Sequence, residues 1–228
     1  MNSADPALFH LLQLSSPMLP VGAYSYSQGL EWAVDQGMVH DRETAQRWIE
    51  EVLRLNISRC DAPILLRMHH AWTDRDAARL THWNEVFLVS REGSELRAET
   101  EQMGYSMRHL LQELAAVDTT MLDILHHLQP LCFPVAFSCA AVSWNIPARA
   151  AASAFLWSWV EGQVSVAMKI IPIGQVAGQH ILTGMARLFP SIINEIVVLK
   201  DDEINTWNPM FAIACCAHET LYSRLFRS

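Results

Sequence analysis

Asp41-Arg42-Glu43-Thr44-Ala45-Gln46-Arg47-Trp48-Ile49-Glu50-Glu51-Val52-Leu53-Arg54-Leu55 is the stretch that decides the fold. Trp48, Ile49, Val52, Leu53 and Leu55 are separated by Arg47, Glu50, Glu51 and Arg54, so one face is apolar and the other charged. That spacing predicts an amphipathic helix turned toward a core. Asp41 supplies a side-chain oxygen for the free N–H groups of its first turn. Continuous alternation of the strand type is absent here.

Outward from this helix the same pattern repeats. Toward the N-terminus, Asp5-Pro6 is a helix start, with Pro at a position where its missing N–H costs nothing, and a first helix through Leu14 follows. Ser15-Ser16-Pro17-Met18-Leu19-Pro20-Val21-Gly22 cannot continue it and predicts an ordered loop or break. Leu30, Trp32, Ala33 and Val34 resume helical spacing until Gly37 offers a left-handed stop.

Toward the C-terminus, helices are expected around 63–72, 74–89, 94–117 and 119–128. Two apolar stretches follow, 131–144 and 148–160, separated by Asn145-Ile146-Pro147; Pro172 and Gly174 mark a break before 175–188. Neither apolar stretch reaches the ~20 residues that span a bilayer, so both read as buried helices and no membrane role is expected. The fold class is all-α, a single-domain bundle of roughly ten helices over residues 1–228.

Composition narrows the function. Hydrophobic residues make up 51% and charged residues 18% of 228 residues, which suits a large interior. A formal net charge of −8 makes nucleic acid an unexpected partner. Five cysteines, an odd number, fit reduced thiols; no basic region followed by an apolar run opens the chain, so a cytoplasmic location is expected.

Motifs for chemistry are missing. Neither the phosphate-loop pattern nor the dinucleotide-binding glycine fingerprint occurs, and His218-Glu219 continues Thr220-Leu221-Tyr222 rather than completing a zinc-enzyme motif. The doublets His69-His70 and His126-His127 point about 100° apart on a helix, so neither forms a chelate by itself. His218 reads as a capping, packing or partner-facing residue. Cys215 and Cys216 read as small core residues within an apolar helix. No catalytic, cofactor or metal residue is assigned, and the chain is expected not to be an enzyme.

Two segments are not explained by packing. One is Ser16-Pro17-Met18-Leu19-Pro20-Val21-Gly22-Ala23-Tyr24-Ser25-Tyr26-Ser27-Gln28-Gly29-Leu30-Glu31, where prolines, glycines and two tyrosines give a loop able to hold a specific surface. The other is Tyr222-Ser223-Arg224-Leu225-Phe226-Arg227-Ser228, aromatic and cationic where chain ends are usually polar and frayed. It reads either as a segment ordered by docking into a partner, with Tyr222 and Phe226 as anchors, or as a last helix packed on its own domain.

The first segment resembles the N-terminal signature of the urease accessory protein UreF family, and the second resembles that family's C-terminal tail. Arg97-Ala98-Glu99-Thr100-Glu101-Gln102-Met103-Gly104 and Gln163-Val164-Ser165-Val166-Ala167-Met168-Lys169-Ile170-Ile171-Pro172-Ile173-Gly174-Gln175 resemble two of its middle segments. The likeness runs in order along nearly the whole chain. One departure is Ala23, where many members carry a second glycine; a positive φ there would strain alanine.

The resemblance implies an all-α, non-enzymatic scaffold for nickel insertion into apo-urease, a chaperone of metallocentre assembly. It would bind the accessory protein UreD (also called UreH) and recruit the GTPase UreG. Nickel and GTP would belong to the wider complex, with no cofactor bound directly, and the chain would form a homodimer.

By resemblance, the N-terminal segment 1–25 and the tail 222–228 make partner contacts. Tyr222, Arg224, Leu225, Phe226 and Arg227 would dock against UreD. Lys169, with Glu31 as companion, would contact UreG, and Gln175, Pro20, Tyr24 and Ser25 complete the partner-binding set. Two alternatives remain: a nickel metallochaperone using His69, His70, His82 or the Cys215-Cys216 pair, and a regulator of the UreG GTPase using Arg97 or Arg108.

Overall fold

The computed structural model describes residues 6–228; the Asp5 cap and the rest of segment 1–5 lie outside the described residues. Twelve α-helical segments and no strand occur among the described residues, as the sequence pattern predicts for an all-α bundle. In chain order they are α1 (Pro6–Ser15), α2 (Leu30–Asp35), α3 (Arg42–Val52), α4 (Ala62–Thr73), α5 (Ala77–Val89) and α6 (Ser94–Glu113). Then come α7 (Thr119–His127), α8 (Phe133–Ser143), α9 (Ala148–Ile170), α10 (Gln175–Ala186), α11 (Phe189–Val198) and α12 (Pro209–His218).

The centre is α8, with every residue from Phe133 to Ala141 buried. It lies against α4, α6 and α9, and α9 also carries α1, α10 and α11. Phe133, Phe137 and Phe155 meet with ring centroids 5.5–6.2 Å apart. Trp72 is fully buried, and its ring N–H donates to the Val135 carbonyl at 3.0 Å, so its one polar atom is satisfied inside the apolar core.

Helix α3 follows its sequence closely. Ala45, Trp48, Ile49 and Val52 are buried, and Asp41 with Thr44 forms a reciprocal capping box. The gap implied between the helix begun at Asp41 and the one expected around 63–72, which opens on Pro63, is absent. A π-helical stretch, Leu53–Asp61, joins α3 to α4 as one rod. Within it the Ala62 N–H donates five residues back to the Ile57 carbonyl. This wider turn lets the chain absorb a proline that has no N–H to give.

Other boundaries differ for local reasons. Asp76, not Asp74, caps α5 by accepting from the Arg79 N–H, and α6 ends at Glu113 rather than 117, shortly before Ala115 turns left-handed at φ 47°. Glu161 and Gly162 do not end the helix begun at 148; α9 continues to Ile170 and delivers Lys169 to its last turn. Gly22, at φ 79°, takes the left-handed conformation that Ala23 avoids, so the alanine starts a short 3-10 turn (Ala23–Ser25) without strain.

No single helix among the described residues is long and apolar enough to cross a membrane. Helices α10 and α11 reach that composition only as a pair bent by 42°, and Ile181, Met185, Ile192 and Ile196 are buried in the bundle.

Candidate functional site

The tail folds back onto its own chain without forming a helix. Its backbone lies along the loop that precedes α2: the Arg227 N–H donates to the Ser25 carbonyl at 2.8 Å. The Ser228 carbonyl in turn accepts from the N–H groups of Ser27 (2.6 Å) and Gln28 (2.9 Å), and from the Ser27 hydroxyl. Phe226 and Ser228 are buried, whereas Tyr222 and Leu225 face solvent.

This loop can receive the tail because α2 sits hard against α12. Gly29 has φ 77°, and a Cβ there would lie 2.9 Å from the Ala214 Cβ and 3.0 Å from the Cys215 nitrogen, so only glycine permits the approach. Gln28 is also left-handed, at φ 49°. Its amide offsets that cost by donating to Glu99 Oε1 and accepting from the Trp159 ring N–H, both at 2.7 Å.

Three carboxylates hold the tail. Glu31, in the first turn of α2, accepts the N–H of Leu225 at 2.7 Å on Oε1 and that of Phe226 at 3.1 Å on Oε2. Glu95, in the first turn of α6, pairs with the Arg224 guanidinium. Glu99, one turn further on, accepts the Ser228 hydroxyl at 2.8 Å.

Between the first two carboxylates lies His218, fully buried at the end of α12, with Nδ1 2.8 Å from Glu95 Oε2 and Nε2 3.0 Å from Glu31 Oε2. The two carboxylates engage opposite ring nitrogens, so they do not converge on one point as metal ligands would. Among the described residues no group of three or more His, Cys, Asp or Glu does so.

Burial controls the electrostatics. Desolvation raises the Glu99 carboxyl to about 7, against the pull of its hydrogen bonds from Gln28 and Ser228 and of the nearby Arg91 charge. Burial also lifts the Tyr26 phenol above its usual value, helped by the Glu99 charge and opposed by a hydrogen bond with Arg227. Arg91 is equally enclosed; burial opposes its charge, but Asp61, 2.8 Å away, outweighs that and holds the guanidinium firmly protonated. Burial pushes the Cys60 thiol up to about 11 and Cys132 to about 12, so both behave as inert apolar groups.

A cavity of about 330 Å³ opens beside this cluster, walled by Leu19, Tyr24 and Tyr26 of the loop and by Glu99, Met103 and Trp159 of α6 and α9.

Most of the residues singled out by sequence therefore meet. Ser25, Arg224, Leu225, Phe226 and Arg227 form the tail contact, and the Lys169 ammonium lies 5.6 Å from the centre of the Phe226 ring. Glu31 belongs with them but lies beneath the tail, because the tail's N–H groups require an acceptor there. Pro20, Tyr24 and Gln175 are exposed and stand outside the contact.

Glu95, Glu99, Gln28 and Trp159 are not singled out by the sequence, and His218 is read there only as a capping, packing or partner-facing residue. The available signal was polar residues in apolar settings: His218 closes the helix Met210-Phe211-Ala212-Ile213-Ala214-Cys215-Cys216-Ala217. The alternative metal residues are dispersed. The His69 and His70 rings lie 6.2 Å apart and nearly perpendicular, and His69 Nε2 is bonded to the Ile146 carbonyl at 2.9 Å.

Sequence comparison identifies the lineage of this arrangement. The UreF family model matches residues 39–186, more than half of the chain. The chain belongs to the UreF family. A urease accessory protein UreF from Methylobacillus flagellatus is 45% identical over 226 residues, covering 99% of this chain and 100% of the relative. One from an Azoarcus species is 48% identical over 233 residues, at 99% and 100% coverage, and one from Cupriavidus metallidurans is 44% identical over 229 residues, at the same coverage. These UreF relatives are named for assisting urease, not for catalysing a reaction, in keeping with the resemblance read from the sequence.

Proposed function

We propose that this chain is a scaffold for nickel insertion into apo-urease, binding a UreD-type partner (UreH in some systems) and recruiting the GTPase UreG. Nickel is cargo of the assembled complex and GTP the substrate of UreG; neither is assigned a site on this chain. The assembly is proposed to work in the cytoplasm as a symmetric homodimer with its partners on either side.

The observation that carries the reading is the mounted tail. Its backbone and Phe226 are fixed by their own chain, while Tyr222 and Leu225, large and apolar, are displayed outward. An aromatic anchor presented in fixed geometry loses little conformational freedom when a partner covers it. Helix α1 supports the same reading for the N-terminal segment, since Leu8, Phe9 and Leu12 share an exposed face and Met18 and Tyr24 follow it outward. Lys169 and Gln175, both exposed around the α9–α10 turn, are the proposed UreG contacts, with Glu31 acting through the tail it supports.

The test is affinity co-purification from cells co-expressing UreD and UreG. Tyr222→Ala with Leu225→Ala is expected to lose UreD while the chain stays folded, and Lys169→Glu is expected to lose UreG while retaining UreD. Full recovery of both partners with all three substitutions would reject the assignment.

A further inference from the structure

We infer that His218 is a positioning residue whose protonation seats the C-terminal tail: the ring holds Glu31 and Glu95 in place while both its nitrogens carry protons, and the tail loosens when one proton leaves. The seating argument stands on geometry alone; its consequence for partner binding rests on the function proposed above.

An ionised carboxylate only accepts hydrogen bonds, and a neutral imidazole has a single N–H. His218 has a carboxylate oxygen on each side, at 2.8 Å and 3.0 Å, and no solvent exposure through which a water could intervene. With both carboxylates ionised, only the imidazolium presents an N–H to each of these oxygens. Deprotonation would set a ring lone pair against one of them inside the protein, where an unmet acceptor is costly.

The strain would reach the tail directly. Glu31 Oε2 is shared between His218 and the Phe226 N–H, and its other oxygen holds the Leu225 N–H. Glu95 is shared between His218 and Arg224. Whichever carboxylate is repelled, a tail contact goes with it.

The neighbouring charges do not substitute for the ring. From α6 come Glu95 and, a turn beyond, Glu99, backed by the Arg91–Asp61 pair. From α2 comes Glu31. The tail supplies Arg224 to Glu95 and Arg227 to Tyr26, and Lys169 of α9 faces the Phe226 ring. Glu219, just past α12, is occupied with the Ser94 hydroxyl and the Glu95 N–H. With the ring charged, His218 and Arg224 balance Glu31 and Glu95; with the ring neutral, an uncompensated negative charge is left beneath the tail.

Two measurements on the isolated full-length protein test this without any partner. The first is hydrogen exchange at Leu225 and Phe226 from about pH 5 to about pH 8, the range in which imidazoles generally change charge, normalised to the rates of an unfolded peptide. Protection of the wild type should be about ten- to a hundredfold higher with the ring charged than with it neutral, as loss of a charged hydrogen bond implies. In His218→Gln protection should be low at every pH, because glutamine donates to only one of the two carboxylates, with α8 amides unchanged in both proteins. A flat wild-type profile, or a wild-type profile in His218→Gln, would overturn the proposal. Should the variant also lose α8 protection, nitrogen NMR of the histidine ring in the wild type decides. Two protonated ring nitrogens at low pH, one lost in step with the tail, is the expected result; a neutral ring throughout overturns it.

Discussion

The cluster around α8 and the mount beneath the tail are both buried, yet they are built on opposite plans. In the first, Phe133, Phe137, Phe155 and Trp72 exclude water with almost no polar atoms to satisfy. In the second, Glu31, Glu95, Glu99, His218 and Gln28 satisfy one another across separations of 71 to 187 residues. Apolar burial is tolerant of detail and carries the stability of the bundle. The polar mount is sensitive to detail, because each buried group depends on a particular partner, and it sets where a short segment lies.

Substitutions should separate the two. Phe137→Ala, at the centre of α8, is expected to cost about 3–5 kcal/mol in denaturant unfolding. The tail should then be lost only together with the rest of the fold; early loss of the tail alone would break the distinction.

Glu99→Gln probes the mount with the opposite sign. A carboxyl raised from 4.5 to about 7 in the folded state contributes stability that is full below pH 4.5 and is lost as pH rises through about 7. Glutamine keeps an acceptor and a donor there and has no charge to bury. The variant should therefore be more stable than the wild type above pH 7, on the order of 2 kcal/mol, with the difference vanishing toward pH 4.5. Equal stability at all pH values would place Glu99 in contact with solvent.

Ser27→Ala removes one hydroxyl bonded to the Ser228 carbonyl. It should cost about 1 kcal/mol, read as faster exchange in 225–228 with α8 unaffected. Tyr222→Ala with Leu225→Ala should change stability by less than about 0.5 kcal/mol, since both side chains face solvent. A larger loss would make those residues part of the mount.

The two regions were also unequally legible. Helix α3 could be drawn from Trp48, Ile49, Val52 and Asp41 alone, because its signal lies within a few residues and repeats with the helical period. Gly37, read as a helix stop, has φ 69°. Pro63 misled locally because the compensating π-turn is a property of nine preceding residues, none of which advertises it. The docking segments were visible as oddities of composition. That Phe226 would be buried in its own chain, and Glu31 beneath it, depends on α2, α6 and α12 meeting in space. His218 carries no periodic signal, and its partners Glu31 and Glu95 stand 187 and 123 residues away.

The central claim is that a tail mounted on its own bundle presents the surface that a UreD-type partner grips. The most direct measurement is binding of UreD to the intact chain and to a chain truncated before Tyr222, by size-exclusion chromatography after co-expression, with helical content checked by circular dichroism. The account predicts a stable complex with the intact chain and none with a truncated chain that remains helical and folded. A complex of undiminished stability with the truncated chain would contradict it.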